Sequence, residues 1–375
     1  MKIGILTHFH KSKNYGGVLQ AYALCRYLNE SGNNAKQILY THTPIKVSSK
    51  RMSAKDIALK LCKKLKRTIC KKRNKKIVED IEKTFLKFRE SVPHTEREYS
   101  KKDIREVKND FDIFITGSDQ VWNPIWFDST YMLDFVDNNG KKLSYAASIG
   151  LSKLEREQSD LLQLYLSNFK SISVRENAAK DILSELVINS VEVVLDPTLL
   201  MNANDWDEIA SKRIISEKYV FLYLLGDSIK TRRIAEKYAK KQNLLLVTIP
   251  DVNGEYRYID RIIKSKRVCG ATPNDFISLI KYSECVITDS FHACAFSLLY
   301  KKQFFAFERE GNDKINSRIK DLTEMLGNKE HFLGKASDKN ANYLETLPQI
   351  DYKKEQIEFI KRKENSINYL KRNLS

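Results

Sequence analysis

Short apolar segments alternate with helical segments along nearly the whole chain, and this alternation constrains the fold more than any other feature. Residues 2–7 predict a strand, 8–17 a glycine-containing loop, and 18–30 a helix whose apolar positions keep helical spacing. Further strands are predicted at 35–40, 111–115, 142–149, 171–174 and 191–195. Strands that alternate with helices in this way predict a parallel sheet covered by helices on both faces.

The pattern restarts after residue 201, with strands at 219–225, 244–249, 284–289 and 303–307 and helices between them. The chain has 375 residues, which is about the length of two domains. We therefore expect an α/β protein with two Rossmann-like domains and an active site in the cleft between them. We place the N-terminal domain at 1–200, with a basic helical insert at 46–108, the C-terminal domain at 201–350, and a final helix at 351–375 that crosses back to the first domain.

Composition excludes several classes of protein. No apolar run approaches the ~20 residues that span a bilayer, and the apolar start of the chain is too short for a signal peptide. The six cysteines contain no Cys-x-x-Cys pair, which argues against a zinc ribbon and a disulfide framework. We therefore expect a cytoplasmic protein with free thiols.

The basic residues are concentrated in one segment. Residues 46–76 contain fourteen Lys or Arg and one acid, which accounts for most of the formal charge of +17. Apolar residues fall on one face of a helix there, a pattern typical of helices that bind anionic membrane surfaces. We favour peripheral attachment at the inner face of the cell membrane; a solvated helix packed on its own domain is the alternative. Because no aromatic residues interleave the run, we expect no nucleic-acid partner.

Polar residues follow two of the predicted strands directly. Ser118, Asp119 and Gln120 come after the strand at 111–115, where parallel sheets bind ligands, and Trp122 beside Asn123 is a candidate platform for a sugar ring. A helix cap is the alternative role for these residues.

The strand at 284–289 turns directly into a helix, and His292 lies in the first turn of that helix. Helix starts bind anions through free N–H groups and the helix dipole, so His292 could meet a negatively charged ligand; Ser290 or Asp289 could equally serve only as a cap. The loop before the first helix contains Gly16 and Gly17 but neither a dinucleotide nor a P-loop pattern. No metal site is expected, because His8 and His10 have no third ligand at a useful spacing.

Six short segments resemble those of one protein family and occur in the same order. They are residues 16–21 (GGVLQA), 117–123 (GSDQVWN), 144–150 (SYAASIG), 173–176 (SVRE), 196–198 (DPT) and 288–292 (TDSFH). On these segments the chain resembles the polysaccharide pyruvyl transferase family. The resemblance implies a glycosyltransferase-B-like fold and transfer of a pyruvyl group from phosphoenolpyruvate to two hydroxyls of a sugar. The product would be a cyclic ketal in a bacterial surface polysaccharide.

The resemblance also implies roles for single residues. His292 would be the catalytic acid, because a histidine near its usual pKa can donate a proton at neutral pH, and Arg175 would grip the carboxylate or phosphate of the donor. Substrate contacts would come from Gly16, Gly17, Ser118, Asp119, Gln120, Trp122, Asn123, Ser290 and Arg318. No tightly bound cofactor is implied. The acceptor would be a galactose- or mannose-type sugar, for which a lipid-linked oligosaccharide is one option; the alternative activity is a glycosyltransferase that uses a nucleotide sugar.

One position departs from the family pattern. An arginine commonly stands two residues before the histidine, and this chain has Ser290 there. Either Ser290 and the N–H groups of the helix start hold the phosphate, or another cation does so. Arg318 is the first candidate for that cation and Arg309 the second.

Overall fold

A computed structural model describes residues 1–44, 75–253, 255–310, 317–325, 327 and 329–374. Among the described residues, seven strands lie between residues 1 and 193. They are β1 (Lys2–Leu6), β2 (Asn34–Tyr40), β3 (His94–Tyr99), β4 (Ile113–Thr116), β5 (Lys142–Ser144), β6 (Ile172–Val174) and β7 (Val191–Val193). Five of them form a parallel sheet in the order β3-β2-β1-β4-β5, and the parallel pair β6-β7 continues it through bridges such as Leu143–Ser171.

Seven more strands lie in the described part of the chain after residue 193. They are β8 (Tyr219–Tyr223), β9 (Leu245–Thr248), β10 (Asp251–Val252), β11 (Glu255–Tyr256), β12 (Lys266–Arg267), β13 (Cys285–Thr288) and β14 (Gln303–Ala306). Five form a second parallel sheet in the order β12-β9-β8-β13-β14. Both sheets thus have the strand order 3-2-1-4-5 of a Rossmann domain, in which ligands bind at the carboxyl ends of the strands.

Helices connect these strands and cover the sheets. They are α1 (Tyr15–Glu30), α2 (Lys75–Glu90), α3 (Arg156–Leu166), α4 (Asn177–Ser184), α5 (Ala203–Asp207), α6 (Ile229–Lys241), α7 (Pro273–Lys281), α8 (Phe291–Leu299), α9 (Ser317–Met325), α10 (Ala341–Thr346) and α11 (Tyr352–Leu374). The predicted α/β fold with two Rossmann-like domains in a glycosyltransferase-B-like arrangement is confirmed.

The segment predicted as a helical insert, 46–108, differs in part. His94–Tyr99 is β3, which pairs in parallel with β2 and adds a strand to the edge of the first sheet. Most of the basic segment lies outside the described residues, since 45–74 are not described. In the part of the chain that is described, no helix has both the length and the apolar character needed to cross a bilayer.

Helix α11 follows the second sheet in sequence but contacts the first. The Tyr369 hydroxyl donates a hydrogen bond to the Ser144 carbonyl at 2.9 Å, and the Leu195 N–H donates to Ser366 Oγ at 2.9 Å. Tyr369 is almost fully buried. The helix therefore ties the end of the chain to the β5–β7 side of the first sheet.

One hydrophobic core extends through both domains. Tyr15, the first residue of α1, stacks on Phe276 of α7 with ring centroids 5.1 Å apart, and its hydroxyl donates to the Ala271 carbonyl at 2.8 Å. Trp206 meets Phe296 of α8 edge to face at 4.8 Å. These buried contacts join α1 to α7 and α5 to α8, and both α1 and α8 begin at the cleft.

Candidate active site

The carboxyl ends of the two sheets meet at one cleft of about 620 Å³. Residues from both domains line it. They are His8, Ser12, Lys13, Asn14, His42, Pro44, Asp119, Gln120, Trp126, Leu225, Asn253, Ser290, Phe291, His292, Arg309 and Arg318. Five residues predicted for the site, Asp119, Gln120, Ser290, His292 and Arg318, are thus brought together from segments far apart in sequence.

Two long helices begin at this cleft, one from each domain. The Asn14 side chain caps α1 by accepting a hydrogen bond from the Gly17 N–H at 2.9 Å. The Ser290 side chain caps α8 by accepting from the Ala293 N–H at 3.4 Å. Since a helix start carries partial positive charge, the cleft is exposed to two helix dipoles that both favour an anion.

His292 and Gly16 lie against each other between these helices. A Cβ atom built on Gly16 would lie 1.9 Å from Nδ1 of His292, closer than real atoms approach. The imidazole itself is 7% exposed. Glycine is therefore required at residue 16 by the close approach of the His292 ring and not by a turn.

A buried cluster of charges lies behind His292. Arg175 Nη1 donates to Asp196 Oδ2 at 2.6 Å, and Arg175 Nη2 lies 3.4 Å from Asp119 Oδ1. Ser118 Oγ also donates to Asp196 Oδ2, at 3.1 Å. The guanidinium of Arg175 rests on the Phe291 ring at 4.5 Å from its centroid, and the arginine side chain is 1% exposed.

This placement corrects the predicted role of Arg175. Its guanidinium does not line the main cleft and already pairs with Asp196 and Asp119, so a direct grip on a ligand is not what the geometry provides. The arginine instead positions two carboxylates. Ser118 is fully buried as well, and it is bound to this cluster and not exposed in the cleft.

Asp196 also faces His292, with its Oδ2 atom 3.6 Å from the imidazole Nε2. Burial alone would raise the pKa of Asp196, but His292, Arg175 and the Thr198 N–H hold it well below the usual range. Asp196 is therefore a carboxylate at any physiological pH. The carboxylate therefore lies beside the imidazole as an electrostatic neighbour, at a distance too long for a hydrogen bond.

Arg318 lies on the cleft side of this cluster. Its Nη1 atom is 3.7 Å from Asp119 Oδ1, and the Gln120 amide packs against the same guanidinium. Burial and the neighbouring Arg175 lower the pKa of Arg318 to about 10, so the group stays cationic at neutral pH. Its buried Nε has no hydrogen-bond partner among the described residues, which leaves a donor for a ligand.

Asp119 is held as an anion by its surroundings. Burial would raise its pKa, but Arg175, His292 and Arg318 together lower it. Asp119 thus lies between two guanidinium groups, with Arg175 behind it and Arg318 on the cleft side.

Arg309 enters the cleft from the other side of Ser290. Its guanidinium donates to the Asp289 carbonyl at 3.2 Å. The Asp289 carboxylate accepts the N–H groups of Leu225 and Gly226 at 2.6 and 2.7 Å, which attaches the loop after β8 to the start of α8. Both cations proposed to replace the missing arginine therefore line the same cleft as Ser290.

Two predicted substrate contacts are wrong, because their side chains are buried in the first domain. Trp122 is 0% exposed, meets Phe169 edge to face, and donates its indole N–H to the Tyr131 carbonyl at 3.2 Å. Asn123 is also fully buried, and its side chain caps a short turn by accepting the Ile125 N–H. Trp122 cannot be a sugar platform. Gly17 does not line the cleft either; its N–H is used in the cap of α1.

Several residues of the site escaped the sequence prediction. His42 and Trp126 line the cleft although no motif marks them, and Asn14 was read only as part of a loop. Asp196 belongs to the segment 196–198 (DPT), which carries the family resemblance but gives the aspartate no role in the sequence analysis. The signal that could have marked Asp196 is its position directly after a predicted buried strand, at the carboxyl edge of the sheet, which is also the position of Asp119.

The fold and the cleft define the class of the protein: a two-domain, glycosyltransferase-B-like α/β protein with a polar cleft between its domains. The family model for polysaccharide pyruvyl transferase matches residues 14–311, which is most of the chain. The chain belongs to this family and is accordingly a pyruvyl transferase of polysaccharide biosynthesis.

Solved structures with a similar overall fold are distant in sequence. A UDP-GlcNAc 2-epimerase from Neisseria meningitidis bound to UDP-GlcNAc is 11% identical, with coverage of 88% of this chain and 93% of that one and a TM-score of 0.49. A UDP-GlcNAc 2-epimerase from Methanocaldococcus jannaschii is 12% identical, with coverage of 95% and 98% and a TM-score of 0.49. A glycosyltransferase from Rickettsia africae is 14% identical, with coverage of 100% and 98% and a TM-score of 0.49. No curated protein matches the sequence.

Proposed function

We propose that the protein transfers the pyruvyl group of phosphoenolpyruvate to two hydroxyls of a galactose- or mannose-type sugar. The product is a cyclic ketal in a bacterial surface polysaccharide, and phosphate is released. The observation that carries the proposal is the convergence of His292, two helix starts and the cations Arg309 and Arg318 on one cleft.

The chemistry needs an acid at the donor. Addition of the first hydroxyl to the enol carbon forms a C–O bond while the methylene carbon takes a proton, and the second hydroxyl then displaces phosphate. His292 is the histidine at the anion-binding side of the cleft, and the Asp196 carboxylate lies 3.6 Å from its Nε2 atom. We assign the proton transfer to His292, which as a general acid contributes about 100-fold or more in rate.

The donor carries a carboxylate and a phosphate, and the cleft offers separate partners for two anions. Arg318 and the N–H groups at the start of α8 form one set, and the start of α1 near Asn14 and Lys13 forms the other. This division explains how a chain with Ser290 in place of the family arginine could still hold the donor.

The proposal is tested by incubating the protein with phosphoenolpyruvate and a galactoside. We expect phosphate release that requires both components, and a product with the mass of a pyruvyl ketal. Release of UDP from a nucleotide sugar, without phosphate release from phosphoenolpyruvate, would contradict it and favour glycosyl transfer.

The role of His292 is tested by His292→Ala. We expect turnover to fall about 100-fold or more, with folding retained by circular dichroism. His94→Ala, at a histidine on the edge strand β3, is the matched control and should keep its activity. An unchanged rate of phosphate release in His292→Ala would mean that the acid is another group.

We further propose that the basic segment at 46–76 attaches the enzyme to anionic membrane, where a lipid-linked oligosaccharide acceptor would be found. The proposal rests on sequence, with fourteen basic residues in that segment. We expect salt-sensitive binding to phosphatidylglycerol liposomes that is lost when 46–76 are deleted; binding that persists after the deletion would overturn it.

A further inference from the structure

One part of the cleft wall carries three aromatic rings and a proline. His8, His42, Pro44 and Trp126 line it, and all four belong to the first domain. The His8 and His42 rings lie 5.1 Å apart, and both pack against Tyr131 behind them, at 4.6 and 5.4 Å. None of these contacts is used in the binding of the anionic donor described above.

Backbone carbonyls hold this wall in one arrangement. His8 Nε2 and Trp126 Nε1 both lie 3.4 Å from the Gln120 carbonyl, and His42 Nε2 lies 3.2 Å from the Trp126 carbonyl. Because a carbonyl can only accept, each histidine donates from Nε2, and its Nδ1 remains as an acceptor when the ring is neutral. The wall is thus preorganised and offers acceptors beside a flat indole.

The aromatic wall and the cationic wall differ in charge. Burial lowers the pKa of His8, and burial lowers the pKa of His42 as well, so both rings are uncharged at neutral pH. Arg309 and Arg318 line the same cleft. A cleft of about 620 Å³ is in the range that holds a ligand of drug size, which is more space than a three-carbon donor fills.

We infer that Trp126, with His42 and His8, forms the acceptor subsite, where the indole stacks on the apolar face of a neutral hexopyranose. Aromatic rings suit this task because a sugar ring presents C–H groups on one face and hydroxyls at its edge. The inference rests on the proposed function for the choice of a sugar as acceptor. In this inference Trp126, and not Trp122, is the platform on which the sugar ring stacks.

Tryptophan fluorescence can report on the proposed subsite. The chain contains three tryptophans, of which Trp122 and Trp206 are 0% exposed while Trp126 is partly exposed at the cleft. Quenching of tryptophan fluorescence by acrylamide therefore reports mainly on Trp126, and Trp126→Phe should remove the quenchable component. The probes are methyl galactoside, methyl mannoside and phosphoenolpyruvate, each added alone to the full-length protein.

We expect one of the two glycosides to protect Trp126 from acrylamide and phosphoenolpyruvate to leave quenching unchanged. Protection by neither glycoside, or equal protection by phosphoenolpyruvate, would overturn the inference. This readout needs no turnover. If the glycoside protects Trp126 but the protein releases no phosphate, the subsite inference is supported and only the proposed reaction is contradicted.

Kinetics test the subsite separately. In Trp126→Ala we expect the KM for the glycoside to rise about five- to tenfold, the KM for phosphoenolpyruvate to stay within about twofold, and Trp126→Phe to restore most of the loss. Ile125→Ala, at an exposed neighbour, is the control and should change neither KM. A rise in the donor KM alone would assign Trp126 to the donor site and contradict the inference.

Discussion

Gly16 and His292 touch across the boundary between the two domains. Gly16 lies in the first turn of α1, and His292 lies in the first turn of α8. A Cβ on Gly16 would lie 1.9 Å from Nδ1 and 2.3 Å from Cγ of the imidazole. The position of the proposed acid is therefore set by a helix of the other domain, and the site is complete only when the two domains are packed as described.

We expect Gly16→Ala to displace the His292 ring and lower turnover. The added methyl group needs space that the ring occupies, and a displacement of about 1 Å in a catalytic group can cost about 100-fold in rate. Phosphate release measured at saturating phosphoenolpyruvate and galactoside checks this expectation.

Gly17→Ala is a matched control in the same helix turn. Its added Cβ would lie 3.5 Å from its nearest neighbours, which is ordinary contact. Since alanine favours a helix over glycine by about 1 kcal/mol, the control should be as stable as the wild type or more so, and fully active. Equal losses in both variants would contradict the steric account.

Asp196→Asn should destabilise the protein strongly. The substitution keeps the shape of the side chain but removes the charge that pairs with the buried Arg175 at 2.6 Å and faces His292 at 3.6 Å. Removal of one member of a buried ion pair leaves an uncompensated charge and costs about 3–5 kcal/mol. The partial pairing of Arg175 with Asp119 argues for the lower end of that range.

Urea unfolding measures this effect, with Glu192→Gln as the control. Glu192 pairs with Arg372 at 2.7 Å, but both side chains are exposed, so the loss should be below about 1 kcal/mol. If both variants lowered the free energy of unfolding equally, the buried ion pair would contribute no more to stability than the exposed one, which would contradict the prediction.

The fold could be predicted because its signals are local. Each buried strand is a short apolar run, and the parallel order makes polar residues after β4 and β13 meet at one edge of the molecule. This reasoning placed Asp119 and His292 in the same cleft without knowledge of any contact. Strand β3, in contrast, has the sequence His-Thr-Glu-Arg-Glu-Tyr, with three exposed charged residues in a row, and its pairing depends on β2.

The details of the site could not be predicted, because they depend on where side chains point. Trp122 and Trp126 are four residues apart in an irregular turn, and only packing against Phe169 decides that the first enters the core. Likewise, sequence separates Arg175 from Asp119 by 56 positions, so their pairing at 3.4 Å has no local signal. The sequence places Arg175 at a strand end, but only its contacts with Asp196 and Asp119 show that it lies behind the cleft.

Stability should fall on mild acidification, in part because of His331. This side chain is 0% exposed, and its Nδ1 faces the Phe304 carbonyl at 3.1 Å. Burial lowers the pKa of His331 below its usual 6.5, so the unfolded chain binds a proton that the folded protein does not. Its contribution to stability is therefore complete above about pH 6.5 and is lost as the pH falls below that value.

The measurement is the free energy of unfolding in urea between about pH 7.5 and pH 5, for which one proton accounts for at most about 1.4 kcal/mol per pH unit. His331→Gln should be less stable at neutral pH but should show a shallower decline with acid. A variant whose decline matches that of the wild type would exclude His331 as a source of the pH dependence.

Arg318→Met should weaken donor binding more than Arg309→Met does. Arg318 is buried, with its Nε free of partners among the described residues, whereas Arg309 already donates to the Asp289 carbonyl. Hydrogen bonds between charged groups contribute about 1.5–3 kcal/mol, so loss of Arg318 should raise the Kd for phosphoenolpyruvate about 10- to 100-fold. Arg318→Lys should restore only part of the affinity, because an ammonium group cannot bind a carboxylate or phosphate through two parallel hydrogen bonds.

Titration calorimetry with phosphoenolpyruvate measures these affinities, and thermal unfolding shows whether each variant remains folded at the temperature used. If Arg309→Met weakened donor binding more than Arg318→Met, Arg309 would be the cation that replaces the arginine found at this place in the family. Unchanged affinity in both variants would leave Ser290 and the N–H groups at the start of α8 as the donor site. In that case Ser290→Ala should weaken donor binding. It should also lower the free energy of unfolding by about 1 kcal/mol, because it removes the cap of α8.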